Sequence, residues 1–325
     1  MLKKILIYNS GGGLGDAIQL FPLILSLKKH FNSADFYYQD SLGANYFSGK
    51  LKEYNIKIKN LGINLEHFGF RWWHLFKAKS EFFKLGIDKF DLIIDIQSKI
   101  RNTLILKKIP SNNFYSSTYG YFFCTTKKKY INNSNVNQKT LSNIEKFFET
   151  NIKKINYDLN ILDNTLIDEA KKLLPNNNYI GFSLTHANEN RIKHWPLNKF
   201  IDLANIIEKK NKIPVFFVEK TNQKIISEIK SKVPKALFPE HNSNLSSPAL
   251  VTALSSRLEL AVSIDNGIMH MMSLADVPMI VLFGPTKPEK FAPDREKVII
   301  LDSKKLYKTN DISKIQVEDL LKYIN

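Results

Sequence analysis

Residues 262–286 read VSIDNGIMHMMSLADVPMIVLFGPT and set the architecture of the chain. The apolar run 260–264 stops at the turn signal Asp-Asn-Gly and predicts a buried strand. Residues 268–275 carry a helical apolar pattern that ends before Pro278, and the run 279–283 predicts a second buried strand. Two parallel strands joined by so short a helix indicate an open α/β sheet with a helix N-terminus at its carboxyl edge.

The turn at residues 265–267 is a candidate anion site. The first amides of a helix lack intrahelical partners and the helix dipole favours negative charge, so a diphosphate would be stabilised there. Gly267 would let the ligand approach the backbone, and His270 could donate to a phosphate oxygen. The alternative is an ordinary turn in which Asp265 caps the helix and His270 packs in the core.

Length and composition fit two soluble domains. The 325 residues are 43% hydrophobic, which is enough for two cores. The single cysteine, Cys124, excludes an intrachain disulfide framework and argues against a cysteine zinc site. The first eight residues predict a strand rather than a signal peptide, and no run approaches the ~20 apolar residues of a membrane span. We therefore expect a cytoplasmic protein.

The net charge of +16, from 47 basic and 31 acidic residues, permits an anionic partner. The lysines are scattered along the chain, as in proteins of AT-rich genomes, so the charge alone identifies no partner. The hypothesis of a nucleic-acid-binding protein would depend on charge only, because the chain shows no recognisable nucleic-acid-binding motif. We expect no nucleic-acid partner.

The N-terminal stretch predicts a strand at residues 4–8, a glycine loop at 9–16 and a helix at 17–30. The loop glycines are spaced GxGxG rather than GxGxxG, and Asp16 stands where the third glycine of a dinucleotide-binding loop belongs. A carboxylate there would meet a pyrophosphate badly, so we reject a dinucleotide site. Asp16 is either an ordinary acidic residue of a first helical turn or a base that takes a proton from a hydroxyl.

Further along the chain, residues 90–96 predict a buried strand that leads into a helix bearing Lys99 and Arg101. Residues 110–140 are polar and poorly periodic, so we expect irregular structure there, followed by a helix at 140–148. The aromatic stretch 68–76 is expected to pack beneath a loop, with lipid or acceptor contact as the alternative.

The second half again alternates strand and helix, with Pro196 at a first helical position and a last helix at 312–323. We predict two doubly wound domains, residues 1–160 and 161–310, facing a central cleft. Residues 311–325 are predicted as a helix that caps or bridges them.

With these segments placed, the chain resembles glycosyltransferase family 9, the group of ADP-heptose:lipopolysaccharide heptosyltransferases. Four stretches carry the likeness. They are Gly15-Asp16 with Pro22 and Leu27-Lys28; Asp91 to Gln97; Lys193-His-Trp-Pro196; and Asp265-Asn-Gly267 with His270, followed by Leu282 to Thr286. The resemblance implies a GT-B fold, inversion at the anomeric carbon, no metal and no cofactor besides the nucleotide sugar donor.

The resemblance also implies roles for individual residues. Asp16 matches the base that deprotonates the acceptor hydroxyl, with Gly13, Gly15, Gln97, Lys99 and Arg101 on the acceptor side. The donor diphosphate would be held by Lys193, Asp265, Asn266, Gly267, His270 and Thr185, with Ser183 as a further hydroxyl. Glu219 is the candidate for holding the ribose, although the family spacing points nearer Asn222. The family more often has Ser or Thr at the place of Asn266.

The sequence therefore predicts an inverting glycosyltransferase that moves a sugar, heptose from ADP-heptose in the family's case, to a lipopolysaccharide-type or other glycan acceptor. An anionic glycolipid acceptor would suit the net charge and would bring the protein to the inner membrane surface. The alternative is a degenerate homologue that binds a nucleotide sugar or glycan without turnover.

Overall fold

The computed structural model describes residues 2–10, 12–40, 43–63, 65, 69–132, 135–184 and 194–324. These residues form two compact units, one ending at Tyr157 and one beginning at Asp158. In its described part, each unit contains one parallel sheet of five strands with helices between the strands. The predicted α/β class with two doubly wound units is therefore confirmed. None of the described helices is long and apolar enough to cross a membrane.

The first unit is built from short strands and the helices that connect them. Its strands are β1 (Lys4–Tyr8), β2 (Asp35–Gln39), β3 (Lys59–Asn60), β4 (Phe90–Asp95) and β5 (Ser111–Ser116). Its helices are α1 (Leu14–Gln19), α2 (Phe21–His30), α3 (His74–Phe83), α4 (Ile100–Leu106) and α5 (Val136–Phe148), with a short 3-10 turn at Lys52–Tyr54. The sheet order is β3-β2-β1-β4-β5.

The central strands of this sheet are apolar because helices cover both of their faces. Ala78 and Phe82 of α3 and Ile105 of α4 pack in one core with β1 and β4. Helices α2 and α5 pack against each other. The strand β5 has the sequence SNNFYS and lies at one edge of the sheet, where its first residues are only partly buried.

The second unit repeats the arrangement. Its strands are β6 (Tyr179–Ser183), β7 (Ile213–Phe217), β8 (Leu258–Ile264), β9 (Met279–Phe283) and β10 (Val298–Asp302). Its helices are α6 (Asn164–Leu173), α7 (Leu197–Lys209), α8 (Gln223–Lys232), α9 (Pro248–Ser255), α10 (Gly267–Leu274), α11 (Pro288–Phe291), α12 (Ser303–Tyr307) and α13 (Val317–Leu321), with 3-10 turns at Leu159–Ile161, Pro239–Asn242 and Ile312–Lys314. The sheet order is β10-β9-β8-β6-β7.

Some predicted bounds are wrong. The helix expected at 17–30 is two helices, because the chain turns at Leu20 and α2 restarts with Pro22 in its first turn. Asp16 therefore lies inside α1 rather than ahead of a helix. The helix expected at 312–323 is a 3-10 turn followed by the short α13, both packed into the core of the second unit.

Two further expectations are corrected. The stretch expected to be irregular, 110–140, contains β5 and the start of α5, which Asn135 caps. Pro196 is the N-cap of α7, one residue before the predicted position.

The sheet topology marks one ligand-binding place in each unit. The strand order reverses between β1 and β4 in the first unit and between β6 and β8 in the second. At such a switch point the loops that leave the carboxyl ends of neighbouring strands run in opposite directions, and a crevice opens between them. The crevice at each of the two switch points is therefore an expected place for a ligand.

Candidate active site

The glycine loop of the first unit places Asp16 in the first turn of α1. Gly13 is the N-cap residue, and its amide donates a 2.7 Å hydrogen bond to Oδ2 of Asp16. The carboxylate therefore folds back over the N-terminus of its own helix, where the dipole stabilises its charge. It lies at the N-terminus of α1, where a helix without such a residue can bind an external anion.

Gly12 is required by the close packing of this loop. A Cβ at Gly12 would lie 3.0 Å from both Nδ2 of Asn9 and Cβ of Asp16. A larger residue at Gly12 would require Asn9 or Asp16 to shift by a few tenths of an ångström. Gly12 thus allows the chain to pass close to Asn9 and Asp16.

An amide hydrogen bond crosses the switch point of the first unit. Gln97, just after β4, donates from Nε2 to Oδ1 of Asn9, just after β1, at 2.7 Å. Nδ2 of Asn9 in turn donates to the hydroxyl of Tyr38 in β2 at 2.8 Å. Gln97 is therefore held beside the glycine loop.

A buried carboxylate supports the turn that carries Gln97. Oδ1 of Asp95 accepts from the amide of Ser98, a residue with φ of +49°, at 2.9 Å. Its Oδ2 accepts from the hydroxyls of Thr103 and Ser116. Burial raises the pKa of Asp95. Since the side chain is enclosed by its partners, its role is to position the turn.

Arg101 lies beside the loop that follows β1. A Cβ at Gly69 would be 3.7 Å from the carbonyl oxygen of Ser10 and 3.9 Å from Nη2 of Arg101. Among the described residues, Nε of Arg101 and Oδ1 of Asn102 are buried polar atoms that meet no hydrogen-bond partner. Buried polar atoms are nearly always paired, so this pair is a candidate for contact with a polar ligand. Lys99 is exposed at the N-cap of α4.

In the second unit, Asn266 caps α10. Its Oδ1 accepts from the amide of Met269 at 2.9 Å, and its Nδ2 donates to the hydroxyl of Ser183 at 2.7 Å. The alternative in which Asp265 caps the helix is therefore wrong. The Asn266–Ser183 hydrogen bond joins the ends of β8 and β6 across the switch point, and the buried Ser183 hydroxyl supports the turn.

The cap leaves the α10 N-terminus without a charged residue in its first turn. By helix geometry, the amides of Gly267 and Ile268 have no intrahelical acceptor. Asp265, Asn266 and His270 are all buried, and they form one compact turn at the carboxyl edge of the sheet. A neutral helix start at a switch point is a suitable site for a diphosphate.

Trp195 anchors the segment that leads into α7. Its Nε1 donates to the carbonyl of Ile315 at 2.9 Å, and the ring is buried in the core. Lys199 donates to the carbonyls of Ser313 and Ile315. The predicted phosphate ligands Lys193 and Thr185 lie outside the described residues. The anchor at Trp195 begins two residues after Lys193.

Two carboxylates lie at the end of β7. Glu219 is exposed just after the strand, and Glu240 lies in the 3-10 turn Pro239–Asn242. Burial, and secondly the charge of Glu219, raises the pKa of Glu240 to about 7. His241 holds the turn to the strand through the carbonyl of Val218, 2.7 Å from its Nε2. Glu219 is separated from the α10 turn by β6, which lies between β7 and β8.

Thr286, after β9, has a buried Oγ1 with no hydrogen-bond partner among the residues described. Gly284 fixes this loop, because a Cβ there would lie 2.8 Å from the carbonyl oxygen of Asn310. The described residues contain no group of three or more His, Cys, Asp or Glu side chains that could hold a metal ion.

A sequence profile described as glycosyltransferase family 9 (heptosyltransferase) matches residues 81–322, well over half of the chain. The chain belongs to glycosyltransferase family 9. The protein is accordingly a glycosyltransferase, as its four motifs indicate.

Relatives of this glycosyltransferase match over most of its length. Lipooligosaccharide heptosyltransferase 2 of Campylobacter jejuni subsp. jejuni serotype O:2 is 24% identical over 302 residues, covering 89% of this chain and 84% of that protein. The structure of the glycosyl transferase family 9 from Veillonella parvula has a TM-score of 0.71 at 18% identity and covers 98% and 95% of the two chains. E. coli heptosyltransferase WaaC with ADP gives 0.68 at 16% identity, covering 99% and 98%. The predicted GT-B fold class is confirmed.

The structure of this family 9 glycosyltransferase places the predicted residues that it describes at three positions. Gly13, Gly15, Asp16, Gln97 and Arg101 lie around the carboxyl edge of β1 and β4, with Lys99 exposed nearby. Asp265, Asn266, Gly267 and His270 form the α10 turn, and Glu219 lies at the end of β7.

Sequence reasoning missed Asn9 and Glu240 as supporting residues, and it quoted Trp195 and Thr286 within family motifs without giving either side chain a role. A usable signal existed for Asn9, which is a short polar side chain directly after a buried strand. The sequence could not show the contact between Trp195 and Ile315 or the charge interaction between Glu240 and Glu219, because the partners lie apart in the chain.

Proposed function

We propose that this glycosyltransferase is inverting and metal-independent, and that it moves heptose from ADP-heptose to a lipopolysaccharide-type or other glycan acceptor. The observation that carries the proposal is the neutral, Asn266-capped start of α10 at the switch point of the second unit. The names of the similar proteins support the choice of substrates, since one is a lipooligosaccharide heptosyltransferase and another was solved with ADP.

On the donor side, the first amides of α10 would bind the diphosphate and stabilise it as it leaves. Lys193 and His270 would add hydrogen bonds and positive charge, and Thr185 a hydroxyl. The chain contains no Asp-x-Asp sequence, the usual carrier of a metal-held diphosphate, so these protein groups would neutralise the leaving group. The hydroxyl of Thr286 is a further donor for the phosphates.

The ribose of the nucleotide is proposed to bind at the end of β7. Glu219 would accept hydrogen bonds from the ribose hydroxyls. Glu240, with its pKa raised to about 7, would carry a proton for much of the time near neutral pH and could both donate and accept.

On the acceptor side, Asp16 is the proposed base. The acceptor oxygen forms a bond to the anomeric carbon while the bond from that carbon to the diphosphate oxygen breaks, and the diphosphate departs with the bonding electrons. The acceptor proton passes to the carboxylate of Asp16. One such displacement inverts the anomeric configuration. Gln97 and Arg101, next to the glycine loop, would orient an anionic acceptor, with Lys99 adding charge.

The proposal is tested by product detection with a panel of donors. Purified protein is incubated with ADP-heptose, and separately with UDP- and GDP-sugars, and a lipopolysaccharide acceptor that lacks heptose. We expect transfer from ADP-heptose, an inverted anomeric centre by NMR and unchanged activity in the presence of a chelator. Absence of transfer from every donor would overturn the proposal.

Calorimetry gives a second, independent measurement of the donor site. ADP should bind more tightly than UDP or GDP, and Lys193→Ala should weaken ADP binding. The matched control is Lys199→Ala, which removes a lysine of the same motif region that bonds backbone carbonyls instead. Unchanged ADP affinity in Lys193→Ala would count against its role.

A further inference from the structure

Helix α3 exposes an aromatic face that no part of the described structure covers. The exposed fractions are 53% for Trp72, 86% for Phe76 and 50% for Phe83. Residues four and seven apart lie on the same side of a helix, so these three side chains form one stripe along α3 and the turn that starts it. We call them the aromatic stripe. The opposite side of α3 is buried, because Ala78 and Phe82 pack in the core.

The stripe begins beside the glycine loop. Phe70, two residues before Trp72, stacks on Tyr8 at the end of β1 with ring centroids 4.9 Å apart. Gly69 approaches the carbonyl of Ser10 in the loop itself. From there α3 runs back along the sheet until Phe82 meets Phe90 at the start of β4. A surface that contacted the stripe would therefore lie next to the carboxyl edge that carries Asp16.

Lysines flank the aromatic stripe. Lys77 and Lys79 are exposed on α3, and Nζ of Lys79 lies 5.9 Å from the ring centroid of Phe83. The single acidic residue of the helix, Glu81, already pairs with Lys84. Tryptophan and phenylalanine beside lysine are the side chains that occupy the boundary of an anionic bilayer, with rings among the head groups and ammonium groups near the phosphates.

We propose that the aromatic stripe docks this glycosyltransferase onto an anionic phospholipid bilayer, so that the acceptor is taken from the membrane surface beside Asp16. The docking stands on the stripe and its charges alone, whereas the identity of the acceptor rests on the proposed function. A second copy of the chain fits the stripe less well. Three side chains bury far less than the ~800 Å² per partner of a stable interface, and the flanking lysines of two copies would repel.

Vesicle co-sedimentation tests the docking. The wild-type protein should bind vesicles of phosphatidylglycerol and phosphatidylethanolamine more strongly than vesicles of phosphatidylcholine, and less strongly as salt is raised. Phe76→Ser should weaken binding roughly ten-fold, because it removes most of one aromatic side chain from the bilayer. Lys77→Gln should weaken it roughly five-fold. Leu306→Ser is the matched control, since Leu306 is a helical side chain of the second unit that is 46% exposed, and it should leave binding unchanged.

Tryptophan fluorescence gives a second readout. Trp72 and Trp73 are exposed and the third tryptophan, Trp195, is buried, so a blue shift on adding vesicles would report the stripe. The inference is wrong if the wild-type protein does not bind anionic vesicles, or if Phe76→Ser binds as the wild type does. It is equally wrong if light scattering shows a dimer that Phe76→Ser dissociates, because the occupant would then be a second copy.

Activity assays separate this inference from the proposed function. Phe76→Ser should keep wild-type transfer to a deacylated, water-soluble acceptor and lose transfer to an acceptor presented in vesicles. Vesicle binding without transfer to either acceptor would leave the docking in place and overturn the proposed function. Transfer to both acceptors at the wild-type rate by Phe76→Ser would overturn the docking alone.

Discussion

Each of the two switch points of this glycosyltransferase is crossed by a side-chain hydrogen bond, which we call its bridge. The two points differ in the residue at the N-terminus of the adjacent helix. In the first unit Gln97 donates to Asn9, and in the second Asn266 donates to Ser183, so each crevice is spanned by a side-chain amide. At the first crevice, the carboxylate of Asp16 accepts a hydrogen bond from the N-cap amide of α1. At the second, the neutral side-chain amide of Asn266 accepts a hydrogen bond from the first turn of α10.

This difference separates the two sites by charge. The carboxylate of Asp16 already interacts favourably with the dipole of α1. A phosphate bound there would therefore be repelled by a like charge. The N-cap of α10 is the amide side chain of Asn266, and the first turn of the helix holds no acidic residue, so an anion is favoured at that place. The same topology thus suits a hydroxyl and a proton acceptor in one unit and a diphosphate in the other.

The largest effect is expected from Asp16→Asn. The amide oxygen can still accept from the amide of Gly13, so the loop should keep its shape, but the side chain can no longer take a proton. We expect the transfer rate to fall by roughly a hundred- to ten-thousand-fold, the usual range for loss of a general base. Turnover is measured by product detection and ADP affinity by calorimetry. Normal turnover would show that Asp16 is not the base, and unchanged ADP affinity is the control.

The sheets that carry the two switch points could be predicted from the sequence. The runs 4–8, 90–95 and 260–264 are strands buried under helices on both faces, and such strands appear as unbroken apolar segments. Their alternation with helical patterns predicted both sheets, and the turns after them predicted where the site residues would gather. The polar edge strand β5 carried no such signal, because its first three residues, Ser-Asn-Asn, are polar and only partly buried at the edge of the sheet.

The details of the site were not visible, because distant partners decide them. Asp265 and Asn266 are both good N-cap residues, and the sequence alone suggested Asp265 as the cap. The choice of Asn266 follows from its bond to Ser183, which is 83 residues away in the chain. Gln97 and Asn9 are 88 residues apart, and Trp195 and Ile315 are 120 apart. No local pattern reports such contacts.

The second prediction concerns a carboxylate introduced at the N-terminus of α10. Asn266→Asp keeps a good N-cap but gives α10 the charge that α1 carries. Like charges a few ångströms apart near a protein surface should weaken ADP binding roughly ten- to a hundred-fold at neutral pH. The control is Asn266→Ser, which caps the helix without charge and should change the affinity by only a few-fold. Equal ADP affinity in the two variants, measured by calorimetry, would refute the charge explanation of the contrast.

The third prediction concerns Glu240, whose pKa is raised to about 7 by burial and by Glu219. The folded state holds this proton more tightly than the unfolded chain, so the stability it contributes is full below about pH 4.5 and is lost as pH rises through about 7. Glu240→Gln cannot ionise, and at pH 8 it should be more stable than the wild type by about 1–2 kcal/mol, after discounting for partial exposure.

Urea unfolding at pH 4 and pH 8 measures the effect of Glu240→Gln. At pH 4 the variant and the wild type should agree. The matched control is Glu228→Gln, a half-buried glutamate that pairs with Lys232 on α8 and should not show this rise at pH 8. A wild-type stability that does not fall relative to Glu240→Gln between the two pH values would contradict the raised pKa.

The smallest effect separates the two bridges. Gln97→Ala removes the donor to Asn9 in a partly buried place, and Ser183→Ala removes the acceptor of Asn266 in a fully buried one. A lost hydrogen bond costs about 1 kcal/mol where water can replace the partner, and up to about 3 kcal/mol where a buried group is left unpaired. Urea unfolding should therefore show the larger loss for Ser183→Ala, with weakened ADP binding in that variant only. If Gln97→Ala instead weakened ADP binding as much as Ser183→Ala does, the assignment of the diphosphate to the second unit would be wrong, because the bridge of the first unit would then belong to the donor site.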